Sequence, residues 1–98
     1  MITAPRDAIK DANRNPNVHK IYANGFSCAL GAGDIGVLLQ RADQPVALIN
    51  MSYTTTKTLG AKLNGLIKFL EEKSGKAIMT TDDINQYFSA EEKDETDE

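Results

Sequence analysis

Tryptophan is absent from this chain, and cysteine and histidine occur once each, as Cys28 and His19. A lone cysteine cannot close an internal disulfide, so no disulfide framework holds the fold, and a reducing compartment is expected. Zinc sites draw on several Cys and His ligands at short spacings, and one of each supplies no such set. His19 and Cys28 lie nine positions apart. On one strand an odd separation points two side chains to opposite faces, away from the hydrogen-bond reach that a nucleophile and its base need. Cys28 is therefore expected to be a small buried hydrophobe. No apolar run is long enough to span a bilayer, and "MITAPRDAIKDANRN" has no apolar segment of the kind a secretory leader carries. A cytoplasmic protein with no membrane partner is expected.

Charge of one sign is also scarce outside one place. The net charge of -3 is concentrated in "EEKDETDE", residues 91–98, which holds six acids and one lysine. The other ten basic and eight acidic residues leave residues 1–90 at +2. So weak an excess offers no electrostatic footprint for nucleic acid, which is disfavoured as a partner.

Ninety-eight residues with 41% apolar composition suit one domain. Composition divides the chain into a polar N-terminal arm over 1–17, an α+β domain expected over 18–90 and an acidic tail expected to be disordered over 91–98. Within the arm, "PRDAIKDANRN" can form a short helix with Pro5 in its first turn, or stay extended and mobile. Residues 18–30, "VHKIYANGFSCAL", place Tyr22, Phe26, Cys28 and Leu30 on one face at period two. Asn24-Gly25 is either a bulge in this strand or a hairpin turn, and the bulge is preferred.

"GAGD" then reads as a turn, "IGVLLQR" as a second strand, "ADQP" as a second turn and "VALINMS" as a third strand. Short connections make neighbouring strands antiparallel, giving a three-stranded meander. Ile35, Val37 and Leu39 point one way and Leu38 the other. In the third strand Val46 and Leu48 oppose Ala47, Ile49 and Met51. Both sheet faces thus read as apolar, where a sheet with one solvated face alternates.

A long helix follows. Ser52 is a suitable N-cap, and Ser74-Gly75 a suitable stop. Leu59, Leu63, Leu66, Ile67 and Leu70 recur at helical spacing as one stripe, expected to cover one face of the meander as its core. Gly60 and Gly65 reduce helix propensity and point to close approach of a neighbouring backbone. "TTDDINQYF" reads as a short second helix capped by Thr80. Met79 and Ile84 have the spacing of a hydrophobic staple, and Ile84, Tyr87 and Phe88 form a small patch that docks on this chain or a neighbour.

Three motifs suggest chemistry and fail a context test. "GAGDIG", residues 31–36, matches G-x-G-x-x-G, but dinucleotide binding requires the motif to enter a helix, and here it enters a strand. Glu71-Glu72 and Asp82-Asp83 sit at helix ends, where solvation and the macrodipole account for them. "TTTKT", residues 54–58, could hold an anion at a helix start, yet hydroxyls favour such positions without a ligand. A ribbon-helix-helix DNA reader is disfavoured because the helix after residue 52 is too long and the strand before it lacks polar side chains to read base edges.

Three stretches together resemble a family of short, mostly bacterial proteins known only as a domain of unknown function. They are "IYANGF", with a Tyr-x-Asn strand opening; "GDIGVLL", in the place of an Asp-aromatic strand; and "INMSYTTTKTLGAKL", similar to a strand running into a Ser-Pro-x-x-Ala-Lys-x-Leu helix start. Ser52, Lys57, Leu59 and Leu63 match as they stand, whereas Tyr53 replaces the usual proline and Thr56 the alanine. The resemblance spans residues 21–75 and implies a strand-strand-strand-helix unit with no catalytic residue. The layout is also similar to the preprotein-export chaperone fold, at the level of topology alone.

These readings lead to a non-enzymatic, self-associating α+β protein-interaction domain: three-stranded antiparallel meander, one long helix packed on it, and a short second helix. A chaperone-like holdase is its specific version. It has no cofactor and assembles as a homodimer or a dimer of dimers, with room for a protein partner. One helix cannot cover both faces of the sheet, so Ile35, Val37, Leu39, Val46 and Leu48 are the expected interaction residues. The rivals are a nucleic-acid-associated protein modulated by its acidic tail, and a small nucleotide-binding protein or enzyme using the 31–36 turn.

Overall fold

A computed structural model describes residues 5–96. It is an α+β chain in the order α1 (Pro5–Arg14), β1 (Gly25–Leu30), β2 (Ile35–Arg41), β3 (Gln44–Met51), α2 (Tyr53–Ser74) and α3 (Thr81–Thr96). The chain divides into two compact units, 1–56 and 57–98.

In the first unit the polar arm contains a helix over most of its described length. Pro5 opens α1, where a missing N–H costs nothing. The helix stops ahead of Asn15-Pro16, whose proline disfavours helical geometry in the residue before it. Asn15 then organises the exit: its Oδ1 accepts the Asn17 N–H at 2.9 Å, and its carbonyl accepts the Lys20 ammonium at 2.6 Å.

The strands form the expected antiparallel meander, β1-β2-β3. Two local expectations are corrected. The strand expected over 18–30 begins only at Gly25, so Tyr22 lies outside it. Asn24-Gly25 is neither a bulge nor a turn. Asn24 donates its N–H to the Gln40 carbonyl at 3.0 Å, and its Oδ1 accepts the Ala42 N–H at 3.2 Å. It therefore braces the β2–β3 turn from the position just before β1. That turn is tight, with Arg41 opposite Gln44, and both central residues are left-handed, Ala42 at φ 51° and Asp43 at φ 65°. This is the primed geometry that matches strand twist, although alanine is a poor occupant of it.

The bulge lies elsewhere. Leu39 pairs with Ala47 and Gln40 with Pro45, so Val46 is the extra residue on β3. Pro45 has no N–H to give the ladder, which suits a bulge on an edge strand.

At the first hairpin, Leu30 pairs with Ile35 around residues 31–34. The Gly31 N–H donates to the Asp34 carbonyl at 2.8 Å. A Cβ at Gly31 would lie 2.7 Å from Asp34 Oδ1 and 3.0 Å from its carbonyl oxygen, so only glycine fits without movement.

The start and stop of α2 fall where the sequence places them. Ser52 Oγ accepts the Thr55 N–H at 3.2 Å, and Thr56 Oγ1 donates to the Ser52 carbonyl at 2.8 Å. Tyr53 donates its hydroxyl to the Gly31 carbonyl at 2.6 Å, anchoring the first turn to the β1–β2 hairpin. At the far end Gly75 adopts φ 71° and gives its N–H to the Glu71 carbonyl at 2.9 Å.

In the second unit Glu71 Oε2 also accepts the Ile78 N–H at 2.7 Å, folding the connection back on the helix end. Thr80 and Asp83 then cap α3 reciprocally: the Asp83 N–H donates to Thr80 Oγ1 at 3.1 Å, and the Thr80 N–H to Asp83 Oδ2 at 3.2 Å. The second helix is longer than expected. It runs to Thr96 through most of the stretch read as a disordered tail. No glycine or proline follows Gly75 to stop it, and Glu and Lys are good helix formers. Residues 97–98 of that tail lie outside the described residues, as do 1–4 of the arm.

Candidate interaction surfaces

Backbone geometry is well satisfied, but side-chain burial is not. Among the described residues none is buried, apolar or polar. A folded domain owes most of its stability to apolar area removed from water, roughly 25 cal/mol per Å², and among the described residues the most covered are only half-buried. The surfaces left open are the strongest functional signal.

The first is a sheet face. The register places Phe26, Cys28 and Leu30 across from Leu39, Val37 and Ile35, and these across from Ala47, Ile49 and Met51. These nine residues are all apolar, and the face turns polar only at the β2–β3 end, where Arg41 pairs with Gln44. The opposite face carries Ser27, Ala29, Gly36, Leu38, Leu48 and Asn50, small or polar apart from two leucines. The expectation of two apolar faces is thus corrected: Ser27, Gln40 and Asn50 supply polar positions on the second face. The five expected interaction residues also separate. Ile35, Val37 and Leu39 share the apolar face, Leu48 belongs to the other, and Val46 is the bulge residue. Phe26 and Leu30 on the edge strand are 61% and 79% exposed, while the central β2 residues are half-buried by their neighbours. Cys28 is an exposed free thiol on the apolar face, not a buried one.

The second is the stripe of α2. Leu59, Leu63, Leu66, Ile67 and Leu70 are all exposed, from 39% to 67%. Among the described residues nothing lies within 4 Å of where a Cβ at Gly60 or Gly65 would stand.

The third is a shallow hollow of about 200 Å³ lined by Met79, Ile84, Tyr87 and Phe88. Tyr87 and Phe88 meet edge to face with centroids 6.0 Å apart. The staple pair and the patch read from the sequence therefore line one small apolar concavity.

The motifs that suggested chemistry are occupied by structure. "GAGDIG" turns a hairpin and enters β2, with the Gly31 carbonyl taken by Tyr53. Thr55 and Thr56 bond to Ser52, and Thr54 and Thr58 also have partners. Among the described residues no three His, Cys, Asp or Glu side chains gather as a metal site would require, and no helix is long and apolar enough to cross a membrane. The roles of Asn24, Tyr53 and Glu71 escaped the sequence reading, because each bonds a backbone group whose position only folding defines.

Compared with family models, curated proteins and solved structures, the chain matches none.

Proposed function

We propose that this protein is a non-catalytic interaction domain that works as a homo-oligomer, with its apolar sheet face and helix stripe serving protein contacts in a reducing, cytoplasmic setting. One observation carries the reading: no described residue is buried in the single chain, while its turns and helix caps are completed by specific hydrogen bonds. A chain with locally specified backbone and no buried residue among those described acquires its core from other copies. Each exposed leucine covered on assembly contributes on the order of 1 kcal/mol. The free thiol of Cys28, exposed on the sheet face, suits such a compartment. A chaperone-like holdase is a narrower form of the reading, in which part of this surface takes unfolded clients. Light scattering on a sizing column over a wide concentration range tests it. A stable dimer or tetramer is the expected result, and a well-folded monomer at every concentration overturns the proposal.

A further inference from the structure

The α2 stripe has a finer order than a generic apolar face. Leu59, Leu63, Leu66 and Leu70 are spaced four, three and four residues apart, and the same rhythm extends to Thr56 and Lys73. This is a heptad seam of about two and a half repeats, with Thr56, Leu63 and Leu70 at one core position and Leu59, Leu66 and Lys73 at the other. Gly60 and Ile67 flank the seam on one side, Lys62 and Phe69 on the other.

Resting on the self-association proposed above, we infer that the occupant of this seam is the α2 helix of a second copy, running antiparallel. Four features select that direction. In a parallel pair Lys73 would meet Lys73 of the second copy on the seam, a like-charge contact in a desolvated place. The antiparallel pair instead sets Lys73 across from Thr56, Leu59 from Leu70 and Leu63 from Leu66. Gly60 then lies beside Ile67 of the second copy, and the space found empty around Gly60 receives a branched side chain. Lys62 lies beside Phe69 of the second copy, whose ring already attracts the Lys73 ammonium at 5.5 Å within its own chain. Finally, antiparallel helices oppose their macrodipoles, whereas parallel ones align them. The seam is short for a free coiled coil, but the first turn of α2 is already fixed by the Ser52 cap and the Tyr53 hydrogen bond, which lowers the ordering cost of pairing.

Spin-label distances test the inference. In a Cys28→Ser background, Lys57→Cys, Asn64→Cys and Glu72→Cys are labelled one at a time; all three positions are exposed. In the antiparallel pair Asn64 lies near the midpoint, with an axial offset of about 2 Å between copies, while Lys57 and Glu72 are each offset by about 22 Å. The expected result is a short intermolecular distance at Asn64 and clearly longer, matched distances at Lys57 and Glu72. Three similar distances mean a parallel pair and overturn the inference. An oligomer by light scattering whose Asn64 labels are as far apart as the others also overturns it, while leaving self-association intact. A monomer with no intermolecular distance removes both.

Discussion

The sheet and the α2 helix leave apolar surface open in different ways. The sheet is closed by a ladder in which each strand depends on its neighbour, and its apolar face emerges only from the pairing of β1, β2 and β3. The helix satisfies its backbone by itself, with a cap at Ser52 and a left-handed stop at Gly75. Its stripe needs no partner to exist, only one to be covered. A sheet face is broad, and many apolar shapes fit it. A heptad seam is narrow and directional, and it discriminates partners by register. In the proposed assembly, specific self-recognition is therefore assigned to α2, and broader protein contact to the sheet.

The largest expected effect comes from charging each surface in turn. Leu63→Glu puts a carboxylate at the centre of the seam and is expected to lower the mass seen by light scattering. Val37→Glu charges the apolar sheet face and is expected to leave the Asn64 spin-label distance in place. If both variants lose that distance equally, the two surfaces are not separable and the comparison fails.

The hairpins sharpen the contrast at smaller scale. Gly31→Ala drives a methyl group against Asp34 and is expected to cost on the order of 1 kcal/mol or more, read as a lower denaturant midpoint. The smallest effect has the opposite sign. Ala42→Gly relieves a left-handed alanine and is expected to raise stability by up to about 1 kcal/mol, because relief of backbone strain exceeds the added chain entropy. An unchanged or lowered midpoint would show that the Asn24 brace, and not the backbone preference of residue 42, controls this turn.

Much of this fold is legible in residue order because its signals are local. Ser52, Gly75 and Thr80 mark helix ends through hydrogen bonds to groups within four residues, and "GAGD" turns a hairpin closed by the Gly31 N–H on the Asp34 carbonyl, where a Cβ at position 31 would crowd Asp34. The sequence by itself therefore determined the order of strands and helices, the meander and the leucine stripe. Only the tertiary structure decided what each face is made of. The register assigned Leu48 and Val37 to opposite sides and set the apolar face, since one residue of slip reverses every side chain of a strand. It also moved the bulge from Gly25 to Val46 and gave Asn24 to the β2–β3 turn, through partners 16 and 18 positions away. Pairing at such separations depends on how strands meet, and no local preference encodes it.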